Sequence, residues 1–239
     1  MLYYSSGKDL TDLEPSRYVR FSGDLSGNVV SLFKSMMTVN SEGEALIFGT
    51  PFTQYARGEL VMGRCWRFGQ EDRQAIALRM LAGAGYAFGN STALPFEKQF
   101  YCGGAGSMRG WQTRSLGPGR SGLNTAFSIP SQTGDLKLEA NMEYRFGLFW
   151  KLEGALFVDA GNIWTLNNDA LSEGNFGPDF YKSIACDWGT GIRVDLNFLV
   201  VRLDMGFKLY EPCAYTWRGP SMWFKNDGFA VHFGVGYPF

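Results

Sequence analysis

The 239-residue chain holds one histidine, His232, and four cysteines, Cys65, Cys102, Cys186 and Cys213. A lone imidazole leaves no room for a Ser/His/Asp set, and no nucleophile elbow is present. The cysteines show no C-x-x-C spacing and no nearby histidine, so zinc ligation has no framework. Buried thiols and a disulfide both stay open. No catalytic residue, no metal and no cofactor is therefore expected.

What remains with chemical potential is a glycine-rich run, Phe100-Tyr101-Cys102-Gly103-Gly104-Ala105-Gly106-Ser107-Met108-Arg109-Gly110-Trp111. Its glycines let backbone approach a wall closely. A phosphate-binding reading fails because neither a GK[ST] sequence nor a helix pattern follows. Downstream, Glu143 and Asp159 could imitate a general acid/base pair of carboxylates.

Period-two alternation shows which elements must hold these groups. Leu136, Leu138, Ala140, Met142, Tyr144 and Phe146 oppose Lys137, Glu139, Asn141, Glu143 and Arg145. Likewise Leu199, Val201, Leu203, Met205, Phe207 and Leu209 interleave with Arg202, Asp204, Gly206 and Lys208. Strands are thus predicted over 136–146 and 199–210, and further ones over 17–33, 54–68, 74–88, 150–164, 183–197 and 229–239. That is about eight strands, and the class is all-β.

Most of these runs have the roughly 9 to 11 residues that a tilted strand needs to cross a bilayer. A soluble sandwich strand is shorter, about 5 or 6. The polar face is rich in glycine and in charges of both signs, as a wet or plugged lumen would be. Tyr144, Phe146, Trp150, Trp164, Tyr210 and Tyr237 at strand ends suit interfacial girdles. With mean hydropathy −0.13 and 16% aromatic residues, the reading is an antiparallel transmembrane β-barrel in which alternation hides the apolar face.

Basic and acidic residues number 22 and 23, with no run of one sign, so nucleic acid is not an expected partner. The N-terminus has no basic segment followed by an apolar core. No stretch approaches the roughly 18 apolar residues of a membrane helix. Connections alternate between tight turns near 145–150 and 195–199 and long loops at 89–135, 165–182 and 211–228. Short turns are expected on the periplasmic side and long loops outside. The 89–135 loop is too long for a plain connection and reads as functional.

Three motifs in order carry a resemblance. Met108-Arg109-Gly110-Trp111 resembles the Arg-Gly-aromatic loop motif of the BamA/TamA superfamily of outer-membrane assembly and translocation proteins. Asn141-Met142-Glu143-Tyr144-Arg145 is similar to that superfamily's Asn-x-Glu-Tyr-Arg strand. Phe157, Asp159 and Gly161 match its Phe-x-Asp-x-Gly strand motif. The resemblance covers 74–239 well and earlier residues only through strand pattern. His232, Gly234, Tyr237 and Phe239 look like the C-terminal signal by which outer-membrane proteins are recognised as an incoming edge strand; His232 there is inward-facing and structural.

The resemblance implies that loop 89–135 folds into the lumen of a barrel occupying 1–239. Arg109 then meets Glu143 and Asp159, which alternation places on the inward faces of neighbouring strands. The other possibility is Arg109 in solvent on an extracellular loop. The implied function is insertion of outer-membrane proteins in the bacterial outer membrane, through a weakly closed seam and a thinned bilayer. Implied partners are lipid and lipopolysaccharide, client outer-membrane proteins and periplasmic assembly partners. Alternatives are a pore for polypeptide secretion, or the membrane anchor of a patatin-like hydrolase. Members usually close with 16 strands, and an eight-stranded barrel has no room for such a loop. The chain is thus expected to be the C-terminal half of a longer barrel, although two self-associated copies, or a loop left outside, would also fit the count.

Overall fold

The computed structural model describes residues 2–6, 17–69, 73–122, 132–166, 169–196, 198–225 and 227–238. Among these residues nine principal strands follow one another: β1 (Leu2–Ser6), β2 (Arg17–Ser26), β3 (Tyr55–Phe68), β4 (Gln74–Ala87), β5 (Leu136–Gly147), β6 (Leu152–Trp164), β7 (Ala185–Asp195), β8 (Val200–Glu211) and β9 (Phe229–Val235). Each pairs antiparallel with its chain neighbours in one continuous sheet. A two-residue strand, Thr216–Trp217, folds back on the end of β8. A small separate hairpin joins Leu46–Ile47 to Thr50–Pro51.

Strands β3 to β8 run 11 to 14 residues, enough for a tilted bilayer crossing. Among the described residues no ladder joins β1 to β9, so the sheet is an open wall.

Sidedness identifies the solvent of each face. On β5, Lys137, Glu139, Asn141, Glu143 and Arg145 are buried, while Met142 between them is 48% exposed. Leu156, Val158, Ile192, Leu203 and Phe233 are likewise exposed on the outward side. A protein folded for water would hide the apolar set. Here the apolar face needs lipid, and the charged face is covered by the chain's own loop.

Four details depart from the pattern read in the sequence. The second strand ends at Ser26 rather than 33, because Gly27 (φ 76°) turns the chain into a single helical turn, Asn28–Ser31. Leu2–Ser6 adds a strand, pairing Leu2 with Phe21 and Ser6 with Arg17. Trp164 is no girdle residue: it is 1% exposed, edge-on to Phe176 and Phe180, with Nε1 donating to Ser183 Oγ at 2.8 Å. Tyr237 leaves the outward face altogether, for Gly236 (φ 83°) ends β9 and redirects the chain.

Candidate functional site

The loop between β4 and β5 lies on the inward face, anchored first by backbone. Phe100 and Gly134 exchange hydrogen bonds of 2.8 and 2.9 Å, and Cys102 bridges Leu116. Met108 and Trp111 enter a small apolar nucleus with Phe100, Cys102, Leu116, Ile163 and Ala185. Burying such side chains contributes roughly 1.5–3 kcal/mol each. This nucleus fixes Arg109 between its two motif neighbours.

Inward side chains from five strands then take loop carbonyls. Arg57 Nε donates to Lys98 O (2.9 Å), Lys137 Nζ to Tyr101 O (2.9 Å), and Asn141 Nδ2 to Ser107 O (3.1 Å). Asn162 Nδ2 donates to Gly119 O (2.7 Å) and Arg202 Nη1 to Ala105 O (2.9 Å). His232 Nε2 donates to Arg109 O at 3.1 Å, linking the last strand to the motif.

Arg109 is fully buried. Its Nε and Nη2 donate to Asp159 Oδ2 and Oδ1, both at 2.9 Å, a bidentate fork, and its Nη1 donates to Glu143. The guanidinium carbon lies 3.5 Å from the Phe157 ring centroid. Phe157 therefore covers the flat face of the cation while Asp159 takes its edge. Burial alone would weaken the charge, but Asp159 and Glu143 outweigh it and raise the guanidinium above its ordinary value.

The ion pairs continue past the motif. Glu143 also accepts from Arg145 Nε (2.7 Å) and Arg193 Nη2 (2.9 Å). Arg193 Nη1 lies 2.8 Å from Asp204, which accepts from Arg202 Nη1 at 2.6 Å. One chain of alternating charge thus runs from β6 through the loop and across β5, β7 and β8. Nearby, Glu139 gathers Arg79, Lys137 Nζ (2.9 Å) and Ser107. Buried charges persist only when paired in this way.

Small residues make the approach possible. A Cβ at Gly206 would strike the Arg109 carbonyl, and one at Gly110 would come within 2.6 Å of Asp187 Cβ. Gly161, the last residue of its motif, presses on β5, where a Cβ would lie 2.6 Å from Leu138 O.

Met108, Arg109, Gly110, Trp111, Glu143, Phe157, Asp159 and Gly161 thus converge. The described residues of the C-terminal set do not all lie on the strand's inward face in one run. His232 and Gly234 face inward, Gly234 against Arg202. Tyr237 turns in under Arg145, whose guanidinium carbon is 4.3 Å from its ring, and donates its hydroxyl to Glu153 at 3.1 Å. Phe239 lies outside the described residues. Arg193, Asp204 and Arg202 were not singled out from the sequence, yet strand alternation already puts them on the charged face.

A wall of long antiparallel strands, apolar outside and ion-paired inside to its own loop, is part of a transmembrane β-barrel with an inserted loop. An Omp85 superfamily domain matches residues 32–239, and the chain belongs to that superfamily. Among solved structures the chain is similar to BamA from Haemophilus ducreyi lacking POTRA domains 1–3, with a TM-score of 0.61 and 15% identity over 98% of this chain and 40% of that one. It is also similar to CdiB from Acinetobacter baumannii, with a TM-score of 0.49 and 15% identity over 92% of this chain and 30% of that one. The chain spans less than half the length of either, and at 15% identity the likeness to BamA is one of fold.

Proposed function

We propose that this chain forms the C-terminal wall of a bacterial outer-membrane barrel that inserts client outer-membrane proteins, with the loop carrying Arg109 as a fixed element of the lumen. The observation that carries the reading is Arg109 itself, buried and forked onto Asp159 while its carbonyl is held by His232 of the last strand. Breaking such a buried pair costs about 3–5 kcal/mol, so the loop is held firmly in its place. The loop instead couples β5 and β6 to β9, the short edge strand. Displacing the loop would loosen that edge, where a client strand can add by main-chain pairing.

In this reading the outward face contacts lipid, with lipopolysaccharide on the long-loop side. Client proteins and periplasmic assembly factors are the partners, and the remaining strands come from upstream chain. The test is the folding rate of a small client barrel protein in proteoliposomes bearing wild-type or R109A protein. The reading expects R109A to slow insertion at least about tenfold, the effect of some 1.4 kcal/mol. Equal rates, with the variant folded and its loop displaced, would contradict it.

A further inference from the structure

The outward face carries two arginines that the ion network does not use. Arg17 of β2 and Arg64 of β3 stand directly opposite each other in the ladder. They share their face with the cross-strand pairs Val19–Met62 and Phe21–Leu60. Both are exposed, and among the described residues neither meets a carboxylate. Their other ladder neighbours, Ser6 and Leu78, are uncharged. Each cation instead lies over a ring: Arg64 is 4.6 Å from the Trp66 centroid and Arg17 is 5.9 Å from that of Tyr4.

Like charges placed directly opposite destabilise a sheet. An anion between the two guanidiniums would reverse that sign, and the planar fork of arginine matches a phosphate. Depth selects the kind of phosphate. From Arg64 the outward positions Met62, Leu60, Gly58 and Ala56 carry no charge. The eight steps from Arg64 to Ala56 span about 26 Å along the strand, or roughly 20 Å of height at the usual tilt of about 35–45°, most of the roughly 25 Å apolar band of such barrels. The arginines therefore mark one boundary of that band, on the short-turn rim, with Trp66 and Tyr4 at the level where interfacial aromatics meet headgroups.

We infer that Arg17 and Arg64 together bind the phosphate of an anionic phospholipid at the short-turn rim of the barrel. The inference rests on the reading that the outward face lies in a bilayer.

The test is native mass spectrometry of the protein in detergent micelles with added phosphatidylglycerol or phosphatidylcholine. Wild-type protein is expected to retain phosphatidylglycerol preferentially. R17Q/R64Q should hold it about thirtyfold more weakly, from two lost interfacial cations, with phosphatidylcholine retention unchanged. R64K, which keeps the charge but loses the fork, should fall between and guards against a misfolded double variant. Equal phosphatidylglycerol retention by wild type and R17Q/R64Q, or no headgroup preference in the wild type, would overturn the site. Quenching by brominated acyl chains separates the two readings, taken as the fluorescence difference between wild type and W66F. Quenching without headgroup preference sinks the lipid site alone, whereas absence of quenching sinks the bilayer placement with it.

Discussion

The guanidinium carbon of Arg109 stands 3.5 Å from the centroid of the Phe157 ring, while Asp159, two residues along the same strand, grips the guanidinium edge through two 2.9 Å hydrogen bonds. One strand thus supplies both a π face and a carboxylate to one loop cation. Residues i and i+2 of a strand share a face, so the spacing of the motif follows from the pleat. Phe157→Leu keeps the apolar volume and removes the ring quadrupole. It is expected to lower stability by about 2 kcal/mol, the value of a desolvated cation–π contact. Urea unfolding in lipid vesicles reads this, and a loss below a few tenths would deny the ring its part.

Gly206 marks where loop backbone touches wall. Gly206→Ala drives a methyl into the Arg109 carbonyl, and the ladder around β8 leaves little freedom to yield. The loop is expected to lift while the sheet stays folded. Cys102, a fully buried loop thiol, is the reporter: it should resist maleimide in the wild type and react in the variant. Exposed Cys213 should react in both.

The same thiol gives a pH dependence. Burial pushes the Cys102 thiol up to about 12 from an ordinary 9.0. Below pH 9 both folded and unfolded chains hold the proton, and stability is unaffected. Between about 9 and 12 the unfolded chain ionises first, so it binds fewer protons and stability falls as pH rises. Cys102→Ser removes this contribution. The stability loss between pH 9 and 11 should therefore be smaller in the variant than in the wild type, and identical profiles would contradict the burial.

Most of the wall was legible because its code is local. Glu139, Glu143 and Arg145 alternate with Leu138, Met142 and Tyr144, and period two declares a two-faced strand wherever the faces meet different solvents. The partnership of Arg109 with Glu143 and Asp159 was readable through motif resemblance together with that alternation. The wider network was half visible: Arg202 and Asp204 lie on an evident charged face, but pairing Arg193 with both Glu143 and Asp204 depends on register between β5, β7 and β8, which one strand cannot encode. Trp164 was misread because strand position alone gave it an outward role, whereas Phe176 and Phe180 of the following loop cover it. Tyr237 was misread because alternation assumes an unbroken strand, and Gly236 breaks it. Leu2–Ser6 is five residues long with no polar–apolar alternation, too little for a period to register.

The measurement that bears most directly on the account is a double-mutant cycle on Arg109 and Asp159, using R109Q, D159N and the double variant, by reversible unfolding in lipid vesicles. R109Q leaves Asp159 without its cation and should cost about 3–5 kcal/mol, whereas D159N leaves Arg109 its Glu143 partner and should cost less. The double variant should cost clearly less than their sum, with a coupling of roughly 2 kcal/mol or more. Costs that add to within about 0.5 kcal/mol would mean that Arg109 is not held by Asp159, and the loop would lose its place in the lumen wall.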